Sequence, residues 1–196
     1  MFTGIIEGIG IVVSAAPGVL TVEHPENLDD LALGESVAID GVDLTVTTLE
    51  GRVLSANVMP ETYRRSTLGN FEPGHRVNME RAVLPTTRLS GHLVQGVVEG
   101  TATVLGAAPE GDALIYHLST ETELLKHVTL KGPVALDGAS LTVIDLSSDG
   151  FAVSVVAYSQ SHTTITERHA GDLVNVETDL VARYVDAAVA RRLEDR

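Results

Sequence analysis

The sequence predicts an all-β protein made of two copies of one antiparallel barrel, followed by a C-terminal α-helix. Three observations carry that expectation. Asp40-Gly41-Val42-Asp43-Leu44-Thr45-Val46 returns 97 residues later as Asp137-Gly138-Ala139-Ser140-Leu141-Thr142-Val143. At the same offset Leu31 to Ala82 and Val128 to Asp179 are identical at 15 of 52 positions without a gap, where unrelated segments would share about 3, so the chain is an internal duplication. Both copies consist of short runs of Val, Ile, Leu and Thr divided by Asp-Gly and Glu-Gly, the pattern of strands joined by tight hairpins. A second match, offset by 92, pairs Gly4-Ile5-Ile6-Glu7-Gly8 with Gly96-Val97-Val98-Glu99-Gly100, so the copies begin near Met1 and near His92.

Taken in order, Met1 to Val13 is β-branched and glycine-punctuated, and Ala15-Ala16-Pro17-Gly18 turns the chain into a strand at Val19 to Val22. Leu28 to Leu33 is expected to form one helical turn over a barrel end, capped by Asn27. Strands follow at Ser36 to Ile39, Asp43 to Leu49 and Val53 to Val58, then a turn or short helix at Thr62 to Leu68 and a last strand at Arg76 to Ala82. Leu84 to Ser90 links the copies. The second copy repeats the order, with strands at His92 to Leu105 and Ala113 to Leu118, a helical Glu121 to His127, and strands near Val134, Leu141, Ala152 and Val174. Beyond them Leu180, Val181, Tyr184, Val185, Ala188 and Val189 recur at three- and four-residue steps, which predicts an amphipathic helix with Asp179 as its cap. Its apolar stripe has no counterpart in the repeat and packs either against the chain's own barrels or against other copies of the chain. The units are accordingly residues 1–87, 88–179 and 180–196.

A formal net charge of −14 argues against nucleic acid and anionic membrane surfaces as partners, because both require a concentrated basic patch. The chain has no cysteine, which excludes disulfides, thiolate metal sites and cysteine nucleophiles. The apolar run at the N-terminus carries Glu7, and no stretch approaches the ~20 apolar residues of a membrane span. A soluble cytoplasmic protein is the expectation.

The seven histidines lack metal-ligand spacing, so no metal site is expected. Gly4 to Gly10 spells Gly-x-x-x-Gly-x-Gly, but no helix follows it and no βαβ unit surrounds it, which rejects a dinucleotide fingerprint. Read alone, Asp-Gly-x-x-Leu-Thr-Val is a turn entering a strand, His92 is a strand or loop histidine, and Lys131 is a surface turn residue. Duplication adds a functional reading, since two copies present two similar small-molecule grooves. The copies differ where Asp43 faces Ser140, Gly34 faces Lys131, Glu61 faces Tyr158 and Ala82 faces Asp179. Such differences are what two identical ligands need in order to play different roles.

Met1-Phe2-Thr3-Gly4-Ile5-Ile6-Glu7, the paired Gly-x-x-Leu-Thr-Val motifs, Met59-Pro60-Glu61-Thr62, Gly91-His92-Leu93-Val94-Gln95-Gly96 and Val174-Asn175-Val176-Glu177-Thr178-Asp179 together resemble the riboflavin synthase family of lumazine-binding, two-barrel enzymes, over essentially the whole chain. The resemblance implies two six-stranded Greek-key barrels and a C-terminal helix that assembles a homotrimer. Each site then lies between the first barrel of one subunit and the second barrel of a neighbour. The implied reaction is a dismutation of two 6,7-dimethyl-8-ribityllumazine molecules. One donates a four-carbon unit to the other, giving riboflavin and 5-amino-6-ribitylamino-uracil, and no cofactor is needed. Holding the two rings face to face supplies most of the acceleration, and acid–base help a smaller factor.

Position by position, the resemblance assigns catalysis to Ser140, Asp179 and His92, with Asp43 as a further polar group. Ligand binding falls to Gly4, Ile5, Ile6, Asp43, Leu44, Thr45, Asn57, Met59, Glu61 and Thr62 in the first copy. In the second copy it falls to Gly96, Val97, Val98, Lys131, Ser140, Leu141, Thr142, Ser154, Val156, Tyr158 and Ser159. Gly4, Ile6 and Thr45 are expected on the first barrel's groove, and Gly96, Val98 and Thr142 on the second's. Two positions depart from many relatives: Asp43 replaces a cysteine, and Val97 replaces a histidine. An aspartate in a partly buried groove can serve as a proton acceptor with a raised pKa, whereas valine has no proton chemistry. Val97 therefore keeps open a second reading, a lumazine- or flavin-binding protein that holds its ligand without converting it.

Overall fold

The computed structural model of the chain describes residues 1–194, so Asp195 and Arg196 of the predicted 180–196 unit lie outside the described residues. Six strands, β1 (Gly8–Ala16), β2 (Val19–Glu23), β3 (Ser36–Ile39), β4 (Val42–Glu50), β5 (Val53–Asn57) and β6 (Arg76–Arg81), close in the spatial order β1-β2-β5-β4-β3-β6. The next six repeat that order and close a second barrel: β7 (Gly100–Glu110), β8 (Ala113–Thr120), β9 (Pro133–Leu136), β10 (Ala139–Leu146), β11 (Gly150–Val155) and β12 (Leu173–Thr178). All pairings between named strands are antiparallel. Closure leaves neither sheet with a free edge. Even the irregularities are duplicated, since the ladders shift register after Val46 in β4 and after Val143 in β10.

Each barrel is filled by the inward half of its alternating residues. Strand β4 buries Val42, Leu44 and Val46 and turns Asp43 and Thr45 outward; β10 buries Ala139, Leu141 and Val143. A two-residue period fixes this, because successive side chains leave opposite faces of a strand. The chemistry-bearing residues of the repeated motif are thereby forced onto the outer walls.

Hairpins β3–β4 and β9–β10 turn at Asp40-Gly41 and Asp137-Gly138, all four residues at positive φ (43°, 78°, 44° and 81°), as a type I′ turn requires. The two turn tips meet back to back on a pseudo-twofold axis between the barrels. A Cβ on Gly41 would sit 2.7 Å from the Gly138 nitrogen, and one on Gly138 2.8 Å from the Gly41 nitrogen. Around this contact the hydrogen bonds also come in pairs. The Asn78 amide donates to the Asp137 carbonyl (2.9 Å) and the Asn175 amide to the Asp40 carbonyl (2.8 Å). Their side-chain oxygens accept from the Thr164 and Thr67 backbone N–H groups at 2.8 and 2.7 Å. One residue breaks the symmetry: Arg168 donates to Asp137 at 2.9 Å and to Asp40 at 3.2 Å, whereas its counterpart Phe71 stacks on His75.

Beside the axis the two N-terminal segments pair with each other. Phe2 and Val94 exchange backbone hydrogen bonds of 2.7 and 3.2 Å and are buried against Ala38 and Ala135 of the facing barrels. Burying the Phe2 ring contributes about 2–3 kcal/mol.

Two local expectations are corrected. The first strand begins at Gly8 and the seventh at Gly100, so Met1 to Glu7 and His92 to Glu99 are irregular connecting segments. The turn expected at Leu28 to Leu33 is a 3-10 turn at Glu26–Leu28, preceded by Pro25, and Asn27 donates its amide to the Glu7 carbonyl instead of capping it. Of the two packings open to its apolar stripe, α4 (Leu180–Glu194) does not take the one against the chain's own barrels: Val181, Tyr184, Val185 and Val189 are 52–68% exposed. The other short helices are α1 (Pro60–Arg65), α2 (Thr122–Leu125) and α3 (Ala157–His162). No helix among the described residues is long and apolar enough to cross a membrane.

Two buried carboxylates sharing one guanidinium make the axis pH-sensitive. Burial, reinforced by the Asp137 charge, holds Asp40 well above the ordinary aspartate value, and burial raises Asp137 as well. An acid raised in the folded state keeps its proton longer there than in the unfolded chain. Its contribution is therefore complete below the unfolded value, about 4, and is lost as pH rises from there through the folded value. Asp40→Asn keeps an acceptor for the Asn78 N–H and removes the charge. Thermal melts from pH 4 to 8 are expected to show a flatter pH dependence for the variant and, at pH 7, a Tm no lower than the parent's. A parent-like slope combined with a lower Tm would refute this account of the axis.

Candidate active site

Ser140 leaves the outer wall of β10 half-buried, enclosed by two glycines of other segments. Its N–H donates to the Gly4 carbonyl at 2.8 Å. A Cβ on Gly4 would lie 2.6 Å from the Ser140 Cβ, and one on Gly91 would lie 2.1 Å from the Thr3 carbonyl oxygen and 3.1 Å from Ser140 Oγ. Only glycine lets both backbones close this far. His92 follows at once: its N–H donates to the Thr3 carbonyl at 3.0 Å and its Nδ1 lies 2.7 Å from Ser140 Oγ. The other ring nitrogen, Nε2, is buried without a hydrogen-bond partner among the described residues. Burial holds the imidazole below its ordinary value, and the charge of Asp179 pushes it partly back. A neutral His92 beside a serine hydroxyl is a proton acceptor in place, and Asp179 favours the imidazolium that results. Asp179 itself is fixed at the start of α4, where its Oδ1 accepts from the Val181 N–H at 3.0 Å.

Around this pair stand further predicted residues. Thr142 is exposed on β10 and faces Ser154 of β11 across the ladder. The Lys131 N–H donates to the Val143 carbonyl at 2.8 Å, which seats the Lys131 backbone against β10 one residue beyond Thr142. Its φ is +63°, a left-handed conformation that the first copy gives to Gly34 at +85°. A non-glycine residue there carries about 1 kcal/mol or more of strain, of the kind stored at functional positions. Val156 and Tyr158 are 55% and 64% exposed, Ser159 is half-buried, and the Tyr158 ring stacks on His162 at 3.9 Å.

On the first barrel the corresponding wall carries exposed Asp43, Thr45 and Asn57, with exposed Met59 and half-buried Thr62 beyond β5. The Asp43 N–H donates to the Gly96 carbonyl at 2.9 Å. Here the structure corrects the expected partition, because the N-terminal segments are exchanged. Gly4 joins the second barrel's wall at Ser140, and Gly96 joins the first barrel's wall at Asp43, with Ile6 beside Gly138 and Val98 packed on the first barrel's core. Leu44 and Leu141 are only 5% exposed and point into the two cores, so only their backbones border a groove. The Glu61 carboxylate accepts from Arg64 (2.9 Å) and Arg65 (3.0 Å) along α1. Asp43 is exposed rather than partly buried, and among the described residues no histidine stands beside it as His92 stands beside Ser140.

The residues that hold the exchanged segments were not singled out from sequence. Glu80 accepts from the Thr3 N–H at 2.6 Å and the Gly4 N–H at 3.0 Å; Glu177 accepts from the N–H groups of Gln95, Gly96 and Val97 at 2.7, 2.9 and 2.9 Å. The signal was present in the repeated Asn-x-Glu of Asn78-Met79-Glu80 and Asn175-Val176-Glu177. Burial raises both carboxylates above their ordinary value while these N–H donors oppose it.

On the single chain Asp43, Thr45 and Thr142 of the two walls face solvent. A cavity of about 570 Å³ lies elsewhere, between the Thr3 to Glu7 segment, the end of β6 and the linker from Val83 to Ser90, and Ile5 alone of the predicted site residues lines it. Among the described residues no cluster of three or more His, Asp or Glu side chains is arranged to hold a metal ion.

The His92 environment is testable by 15N NMR of the imidazole. Its pKa is expected below the free value of about 6.5, with Asp179→Asn lowering it further because that variant removes a charge stabilising the imidazolium. An imidazole titrating at or above the free value would contradict the burial described here.

Comparison with known proteins agrees with this architecture. The lumazine binding domain family matches at residues 3–82 and again at 95–179. Riboflavin synthase of Schizosaccharomyces pombe is 35% identical over 100% of this chain and 97% of its own. The Mycobacterium bovis riboflavin synthase is 38% identical over 95% and 96% of the two chains. Among solved structures, LumP complexed with riboflavin superposes with a TM-score of 0.85 at 23% identity, covering 91% of this chain and 100% of that one, which shows the shared fold. A family match to each half and full-length identity above one third together mean that the chain belongs to the riboflavin synthase family, with two lumazine binding domains.

Proposed function

We propose that the chain is the riboflavin synthase its family membership implies, converting two 6,7-dimethyl-8-ribityllumazine molecules into riboflavin and 5-amino-6-ribitylamino-uracil. The observation that carries the mechanism is the Ser140–His92 pair at 2.7 Å, enclosed by Gly4 and Gly91 and backed by the Asp179 charge. In this reading one lumazine lies on the second barrel's wall. Its ring edge meets backbone groups near Gly4, Ile6 and Thr142, and Lys131 reaches its polar groups. Ser140 holds a nucleophile for addition to the electrophilic ring carbon, and the proton that the nucleophile gives up passes through the Ser140 hydroxyl to His92. The second lumazine lies on the first barrel's wall between Asp43, Thr45 and the Gly96 to Val98 segment. Transfer of the four-carbon unit balances without an outside oxidant or reductant, since one lumazine gains what the other loses.

Two ligands on outer walls of different barrels reach each other only if a second chain brings the walls together. The uncovered apolar stripe of α4 supports assembly through that helix, and we take the assembly to be a homotrimer with residues 1–87 and 88–179 as its ligand-binding units. A cytoplasmic location belongs to the same proposal and is checked by fractionation.

Incubating the purified protein with 6,7-dimethyl-8-ribityllumazine is expected to produce riboflavin in proportion to enzyme. Ser140→Ala should lower kcat by about a hundredfold or more with little change in Tm. Tight binding without conversion by the parent protein would favour the ligand-carrier reading that Val97 raises. Deleting the chain from Val181 onward is expected to reduce the mass measured by light scattering to that of a single chain; an unchanged mass would rule out α4 as the assembly element.

A further inference from the structure

We infer that Arg183 of α4 is a positioning residue for the first barrel's groove, coupling the C-terminal helix to the exchanged segment Gln95–Glu99. The inference rests on the proposed reading of that groove as a ligand site. The Arg183 side chain is only 20% exposed. Its Nη2 donates to Gln95 Oε1 at 2.9 Å and lies 3.7 Å from Glu177 Oε1, and its Nε lies 3.7 Å from Glu99 Oε1. Both carboxylates already hold backbone. Glu177 takes the Gln95, Gly96 and Val97 N–H groups, and Glu99 takes the Thr178 N–H at 2.7 Å and its hydroxyl at 2.8 Å. Their side chains are 2% and 16% exposed, and Arg183 is the one cation within ion-pair distance of either among the described residues. From Gly96 the chain of contacts ends at the Asp43 N–H, on the groove itself.

Comparison of the two copies shows what is unusual. In the first, Glu7 occupies the place of Glu99 and is neutralised from within the barrel by Arg81, whose N–H and Nε–H both donate to it at 2.9 Å. The second copy has Thr178 where Arg81 stands, a residue without charge. Its cation arrives from outside the repeat, on the helix whose opposite face carries the uncovered apolar residues. Moving α4 therefore moves the charge paired with the carboxylates that hold Gln95 to Val97 and Thr178, whereas the Gly4 backbone that meets Ser140 is held by Glu80 of β6.

Hydrogen exchange on the free, full-length protein tests the contact without any ligand. Arg183→Met is expected to speed exchange of the Gln95, Gly96, Val97 and Asp43 amides by about tenfold or more, leaving the Ser140 amide unchanged, and Arg183→Lys to restore protection. In lumazine turnover the same variant should raise KM several-fold with kcat nearly unchanged, and Lys should recover it. Should Arg183→Met fail to fold, Arg183→Gln removes the charge while keeping a donor for Gln95. Parent-like exchange and KM, or a loss of protection spread evenly over both barrels, would overturn the inference. A parent protein that shows the protection yet neither binds nor converts lumazine would instead remove the functional reading and leave the contact standing.

Discussion

The contact on which the rest of the structure depends is the meeting of two Asp-Gly turns on the axis between the barrels. Gly41 and Gly138 approach until neither tolerates a Cβ, which brings two buried aspartates together. Duplication alone would place two cations there or none. One arginine, Arg168, serves both carboxylates, and Phe71 with His75 occupies the equivalent space on the other side. A point on a pseudo-twofold axis has room for a single guanidinium, so the copies had to diverge at this position. From the same axis Asn78 and Asn175 tie down Thr164 and Thr67, directly after α3 and α1, which border the grooves. Axis and grooves are thus one mechanical unit, separated by a few hydrogen bonds.

Exchange of the N-terminal segments is the second consequence. Phe2 and Val94 pair across the axis, and each segment then runs onto the wall of the other barrel. Neither barrel owns a complete groove. Gly4 is held by Glu80 of the first barrel but presents its carbonyl to Ser140 of the second. This arrangement forces the two walls to keep a fixed relation within one chain.

Sequence was sufficient for the periodic elements, though not for the strand starts or the turn before Leu28. Alternation of buried and exposed residues in β4 and β10, the Asp-Gly hairpins and the helical steps from Leu180 onward each follow from one stretch of residues, and the structure reproduces them. What escaped was non-local. The offset changes from 92 to 97 residues between the start of each copy and its motif, a sign that the opening segments and the barrels were separate pieces, but no local rule says that the pieces cross. For the same reason Glu80 and Glu177 read as the polar ends of ordinary strands, although each holds a groove in place from about eighty residues away in sequence. Pattern also identified the helix at the C-terminus, but only the packing showed which of its faces is left uncovered.

With the scaffold duplicated so closely, chemistry must come from the places where the copies disagree. Gly34 adopts the left-handed conformation freely, while Lys131 adopts it at a cost. The first copy avoids that cost by keeping glycine at the equivalent position. Asp43 stands exposed without a base, while its counterpart Ser140 is enclosed and paired with His92. One wall therefore carries a strained cation and a serine–histidine pair, and the other a lone carboxylate and threonine. Two identical molecules bound to these walls would meet different proton acceptors and different charges. That inequality is what a dismutation requires, because the reaction proceeds only when one of two equal partners is made the donor and the other the acceptor.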